Sequence, residues 1–164
     1  MQLLCVLSLF LALAGPQTPA AQTPAKPPAS APAAGAKGAR TVELTGGDDM
    51  KYNLTTIDAK PGETLHIVLK SNGTIPKIAM AHNFVLLALS ADVAEFIKSS
   101  MNARDTDYIP PDKKAEVLTS TKLAGPTETV ETTFKVPAKP GSYPYMCTFP
   151  GHYAAGMKGT LVVK

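Results

Sequence analysis

The sequence predicts a β-sandwich with a helical flap inserted in mid-chain. Three observations carry that expectation. Short runs rich in β-branched residues recur between turn signals from residue 41 onward. One segment alone breaks that rhythm with a helical stripe. The first forty residues do not read as a folded domain.

The chain has 164 residues and a formal net charge of +3. Leu3 to Ala14 (LLCVLSLFLALA) is an apolar run too short to span a bilayer comfortably. It reads as the hydrophobic part of a secretory signal, with Ala12-Leu13-Ala14 as a small-residue cleavage site, although no Lys or Arg precedes it. Residues 15–39 are Pro/Ala-rich and lack aromatic or branched aliphatic side chains, so they read as an extended, disordered linker. The organisation expected is therefore a signal-like segment over 1–14, a linker over 15–39 and one domain over 40–164. That implies a periplasmic or otherwise exported protein, with an N-terminal membrane anchor as a further option.

The domain is nearly neutral. Lys26 and Lys37 precede it, leaving 14 of the 16 basic residues against all 13 acidic ones. Nucleic-acid binding, which needs a basic face, is disfavoured. The chain has two cysteines, and Cys5 leaves with the signal. Cys147 then has no partner, which excludes a disulfide scaffold.

The elements follow in order. Val42 to Leu44 starts a strand that Gly46-Gly47 ends. Tyr52 to Ile57 reads as another. Lys60-Pro61-Gly62-Glu63 is a turn. Thr64 to Lys70 (TLHIVLK) alternates, and Ser71-Asn72-Gly73 breaks it. Phe84 to Leu89 is a continuous apolar strand, as expected where both faces are covered. A helix capped by Ser90 should run through Met101, with Asp92 in its first turn and an apolar stripe of Val93, Ala94, Ile97 and Met101. Pro110-Pro111 stops any continuation, so the flap covers about residues 90–111. Glu128 to Val136 alternates, Lys139-Pro140-Gly141 turns, and Tyr143 to Cys147 and Gly159 to Val163 complete the strands.

The chemistry concentrates in Cys147 to Met157 (CTFPGHYAAGM). His82, Cys147, His152 and Met157 are a thiolate, two imidazoles and a thioether. Soft sulfur stabilises Cu(I), and imidazole accepts both oxidation states of copper. A His₂Cys set with a weak axial Met is the arrangement of a blue-copper electron-transfer site. Pro150-Gly151 can turn the loop sharply enough for three donors to converge. His82 precedes a packed strand, which would hold it rigidly. Asn83 can support the site by pinning the loop or the Cys147 sulfur.

Each residue taken singly has an ordinary reading: a small buried hydrophobe, two unremarkable histidines, a core methionine. The order and spacing of all four argue against that. His66 lies in an alternating strand without partners and reads as structural. Asp105 and Asp107 beside Tyr108 read as a solvated loop. A catalytic Cys-His pair is the rival use of these residues, but a nucleophile has no use for Met157 or a second histidine. Zinc would accept Cys and His, but a thioether is a poor zinc ligand.

The stretches MAHNFVLL and CTFPGHYAAGMKGTLVVK resemble the cupredoxins azurin and auracyanin, as do MKYN, IPKIAMAHN, DYIPPD and TKLAGP. The resemblance spans nearly all of residues 41–164. It implies an all-β Greek-key sandwich and one copper ion held by His82, Cys147, His152 and Met157, with a weak backbone contact from Ala81. The four residues between His152 and Met157 look more like auracyanin than azurin. The resemblance further implies an exposed edge of the His152 ring, in an apolar patch where redox proteins dock. Met50, Met80, Phe149, Pro150 and Ala154 are the candidates for that patch. The function expected is a one-electron carrier with no small-molecule substrate and no enzymatic turnover. The alternative is a copper-carrying or chaperone protein with the same ligands.

Overall fold

The computed structural model describes residues 38–164. The signal-like segment and nearly all of the linker lie outside the described residues. Among the described residues, no helix is long and apolar enough to cross a membrane.

Among the described residues, eight strands form two sheets. β1 (Arg40–Gly46), β3 (Thr64–Ser71) and β6 (Thr129–Lys135) make the first, in the order β1-β3-β6. β2 (Thr56–Ala59), β8 (Lys158–Val163), β7 (Gly141–Met146), β4 (Val85–Leu87) and β5 (Val117–Ser120) make the second, in the order β2-β8-β7-β4-β5. β1 runs parallel to β3, pairing Val42 with Ile67 and Leu44 with Leu69. β6 closes that sheet antiparallel, setting Leu65 opposite Phe134 and Leu69 opposite Val130. These residues share one face because side chains alternate along a strand. They meet Leu86, Tyr143, Tyr145 and Leu161 of the second sheet in the main core. The expected sandwich is the observed one.

The second sheet is buried on its other face too. Val85, Leu87 and Met146 pack there against Phe96 of α1 (Val93–Ser100). That helix is the expected flap, with a different cap and phase. The cap is Asp92, whose carboxylate accepts from the Glu95 backbone N–H at 3.1 Å. The inward residues are Phe96 and Ser100, flanked by half-buried Val93 and Ile97, while Ala94 is exposed and Met101 is 59% exposed. Steps of four residues drift about 40° round a helix of 3.6 residues per turn. The 93, 97, 101 series therefore slides off the face that 93, 96, 97 and 100 hold.

One other expectation shifts, and one element is new. Tyr52 to Ile57 is not one strand. Tyr52 bridges Gly46 of the first sheet, whereas Thr56 pairs with Thr160 of the second. Asn53 makes the crossing: its side-chain oxygen accepts from the Thr45 N–H at 2.7 Å, bending the chain between sheets. The short edge strand β5, unforeseen, pairs with β4 across an irregularity at Leu86/Leu87.

Candidate metal centre

His82 stands just before β4 and is fixed from both sides. Its N–H donates to the Ala124 carbonyl at 2.9 Å, and its carbonyl accepts from the Ala124 N–H at 2.7 Å. Two residues on, the Phe84 N–H donates to the Thr121 hydroxyl and its carbonyl accepts from the Thr121 N–H, both at 2.9 Å. The Tyr52 hydroxyl donates to the Asn83 carbonyl at 2.5 Å.

The remaining candidates come from the loop joining β7 to β8. The Cys147 N–H donates to the Met157 carbonyl at 3.1 Å, so the loop's two ends are pinned together. Pro150-Gly151 makes the sharp turn expected, with Gly151 at φ +85°. A single helical turn not anticipated from sequence, α2 (His152–Ala155), then turns the chain back, and Gly156 ends it at φ +100°. The Met157 N–H donates to the His152 carbonyl at 2.9 Å. The Lys51 ammonium donates to the Ala155 carbonyl at the end of that turn, as a cation there should.

Asn83 joins the two halves. Its side-chain oxygen accepts from the Thr148 N–H at 2.9 Å. Its amide N–H₂ donates to the Thr148 hydroxyl at 2.8 Å and to the Asp107 carbonyl at 2.9 Å. It therefore pins the loop through Thr148. Asp107 and Tyr108 are not the merely solvated loop expected. Asp107 receives Asn83, and the Tyr108 ring packs edge-on against Phe149 at 5.2 Å. Asp105 is exposed. His66 lies elsewhere, 3.0 Å from Glu131 on the first sheet.

His82, Cys147 and His152 converge. One donor atom from each lies within 4.8 Å of the others. Cys147 Sγ is 3.5 Å from His152 Nδ1 and 3.9 Å from the Ala81 carbonyl oxygen. The two imidazole centroids are 5.0 Å apart. Met157 is fully buried, and its methyl and the His82 ring converge on Gly46: a Cβ there would lie 2.5 Å from Met157 Cε and 3.2 Å from His82 Cγ.

The electrostatics are those of a neutral, buried cluster. Burial pushes the Cys147 thiol up to about 12, although the backbone N–H groups of Asn83 and Phe149 oppose it. Burial, assisted by the neighbouring His82, pulls His152 down to about 4. Burial also lowers His82, against the opposing charges of Asp48 and Asp49. Both nitrogens of the His82 ring are buried without a hydrogen-bond partner. A buried polar atom left unpaired costs about 1–3 kcal/mol, and such orphans call for an explanation. A cation bound between them and the sulfur supplies one. The cluster can hold one copper ion, whose taste for imidazole and soft sulfur matches this donor set.

The residues expected to form a docking patch lie at different depths. Met50, Met80 and Phe149 are half-buried, while Pro150 and Ala154 are exposed. The exposed ring edge expected for His152 is nearly absent, because that residue is only 2% exposed. Phe149 packs against the ring at 4.8 Å. Sequence reasoning missed Ile78, which is 72% exposed and lines a depression of about 220 Å³ with Tyr108, Leu123 and Phe149. It also missed Gly46, Thr121, Ala124 and Thr148. Of these only Gly46 carried a signal, and that signal read as a strand end.

Residues 39–164 match the model of the family described as copper binding proteins, plastocyanin/azurin family. Auracyanin-B of Chloroflexus aurantiacus is 37% identical over 129 residues, covering 76% of this chain and 52% of that protein. The match thus spans about half of that relative's length. Azurin of Pseudomonas aeruginosa is 38% identical over 128 residues, covering 76% of this chain and 84% of azurin. The solved structure of auracyanin A, a "blue" copper protein from Chloroflexus aurantiacus, superposes with a TM-score of 0.68 at 34% identity. That superposition covers 77% of this chain and all of auracyanin A.

Proposed function

The chain belongs to the plastocyanin/azurin family of copper-binding proteins, and on that footing we propose that it is an exported one-electron carrier whose copper ligands are His82, Cys147, His152 and Met157. The observation that carries this reading is the orphaned His82 ring, both nitrogens buried and unpartnered beside a buried thiol and a second imidazole. A copper ion held there would supply a one-electron couple between Cu(I) and Cu(II). The protein's own part is to fix the donors in advance. The Ala124 bridge immobilises His82, and Asn83 locks Thr148, next to Cys147, to the same strand end. Donors that need not move oppose neither oxidation state, which favours rapid electron transfer. Burial keeps water off the sulfur, and Cys147 must give up its proton on loading, so metal uptake releases a proton.

Redox proteins are the partners in this reading, docking on the apolar surface formed by Met50, Met80, Phe149, Pro150 and Ala154, with Ile78 beside it. Phe149 lies against the His152 ring and would cover the exit route. The signal-like segment over 1–14 supports export, and the 15–39 linker would hold the 40–164 domain away from a membrane or wall. No substrate turnover is expected. A copper chaperone would need an accessible, labile site, whereas Cys147 and His82 are fully buried.

The test is an optical and EPR spectrum of the full chain after adding Cu(II). An intense blue thiolate-to-copper band with narrow hyperfine splitting, both lost in Cys147→Ser, is expected. A colourless protein, or an ordinary tetragonal Cu(II) signal, would overturn the reading.

A further inference from the structure

We propose that Gly46 is a positioning residue of the metal centre: it keeps open the space into which the Met157 side chain folds, and so sets where the thioether stands relative to His82 and Cys147. The proposal rests on the ligand set above.

Glycine at this position is a matter of space. Gly46 does not have the positive φ of Gly151 and Gly156 in the β7–β8 loop, so its backbone conformation does not itself demand glycine. What forbids a side chain is the neighbourhood. A Cβ would lie 2.5 Å from Met157 Cε, 3.2 Å from His82 Cγ and 3.4 Å from His82 Cδ2.

The backbone cannot retreat from that contact. Gly46 pairs with Ser71 at the end of the β1–β3 ladder and bridges Tyr52 on its other side. Its carbonyl accepts from the Asn72 N–H at 3.0 Å. The His82 backbone is held too, by two hydrogen bonds to Ala124, and its ring is the more distant contact. The group free to yield is the methyl end of Met157, on a flexible unbranched side chain. Adding one methyl group at position 46 therefore displaces the thioether while leaving the strands paired. With copper bound, the thioether would be a weak donor that tunes the potential, so Gly46 would act on the potential without touching the metal. Gly159 makes the contrast: a Cβ there would meet the Tyr145 ring and the Thr55 carbonyl, neither of which is a flexible end. Crowding at 159 strains the fold, and crowding at 46 moves a donor.

The experiment uses the full chain with its methionine methyls labelled for NMR. In metal-free Gly46→Ala, the Met157 methyl resonance should shift while those of Met101 and Met146 stay in place. After Cu(II) addition, Gly46→Ala should alter the visible band pattern and the reduction potential relative to wild type. In a Met157→Ala background the same substitution should change neither. An unmoved Met157 methyl in folded Gly46→Ala overturns the proposal. So does an equal effect of Gly46→Ala with and without Met157, because the change would then run through His82. If Gly46→Ala fails to fold, Gly46→Ala/Met157→Ala should fold, and its failure too would overturn the proposal. The metal-free NMR result stands whether or not copper binds blue, so a failure of the ligand set would be seen separately in the wild-type spectrum.

Discussion

Met146 and Cys147 are adjacent in the chain and lie on opposite sides of one sheet. Met146 joins Val85, Leu87 and Phe96 beneath the flap helix, an apolar cluster. Cys147 joins the main core and stands at its polar end, with His82 and His152. Both side chains are fully buried. The flap-side cluster is complete as it stands, since apolar atoms need only neighbours. The Cys147 side is incomplete, because His82 has two buried nitrogens without partners. Burial thus means stability on one face of the sheet and unmet hydrogen-bonding capacity on the other.

Substitutions should separate the two faces. Cys147→Ser should abolish the blue band outright while the metal-free protein keeps its fold, because the two side chains are close in size. Visible absorption and circular dichroism check this. A retained band would break the comparison by showing that the sulfur is not a ligand. Phe96→Ala should do the reverse. It empties the centre of the flap-side cluster and should cost about 3–5 kcal/mol of stability, the range for an aromatic residue deleted from a core. Denaturant melting gives the cost, and the copper spectrum of whatever remains folded should be that of wild type.

Asn83 tests the seam between the faces. Asn83→Ala leaves the Thr148 N–H unpaired in a buried place, a cost of about 1–3 kcal/mol. It also frees the loop from the flap segment at Asp107. Both readouts should therefore move together: a lower melting midpoint and a broadened copper EPR signal. Movement of only one would place Asn83 on one side of the seam.

These positions differ in how legible they were in the sequence. Alternation in TLHIVLK and ETVETTFKV was enough to place β3 and β6, since every second residue faces the sandwich core, as Leu65, Ile67 and Leu69 do; that His66 and Val68 are buried as well was not legible. The donor types in CTFPGHYAAGM, with His82 before an apolar strand, were enough to propose the cluster. Three other things were hidden. The phase of α1 needed the position of the second sheet, because Phe96 and Met101 are equally apolar in sequence. The break at Asn53 needed the partner strands, since Tyr52 to Ile57 is a sound strand by composition. The roles of Ala124, Thr121 and Thr148 depend on backbone groups or on contacts 37 or more residues away, which no local pattern records.

The pH response of the metal-free protein sharpens the same contrast. His152 is held down to about 4 by burial and by His82, whereas the unfolded chain's histidine titrates near 6.5. A depressed value means that the unfolded state binds the proton first. The stability tied to a neutral His152 is thus fully present above about pH 6.5. It should be lost progressively as pH falls toward 4. Thermal melts of metal-free wild type against His152→Leu across this window isolate it: the wild-type midpoint should fall more steeply. Parallel slopes would mean that the imidazole protonates in place. Phe96→Ala should keep the wild-type slope, because no histidine faces the flap-side cluster.

The smallest effect expected lies at the surface, where burial gives way to encounter. Phe149 is half-buried, touching the His152 ring on one side and Tyr108 on the other, and Met80 is half-buried too. A charge at Met80, as in Met80→Lys, changes no donor and fills no core position. The copper spectrum and the melting midpoint should both match wild type. What should change, on the proposed docking surface, is the rate of association with a redox protein that brings an apolar surface near Phe149. Mutations within one interface move association rates over one to three decades, and one charge beside an apolar patch belongs at the low end, about tenfold. Stopped-flow oxidation by a cytochrome, run at several salt concentrations, reads it. Slowing that persists at high salt would mean lost apolar contact. Slowing that salt removes would mean that the new charge only repels. An unchanged rate would move the docking surface away from Met80, and the depression beside Ile78 would be the next place to put the charge.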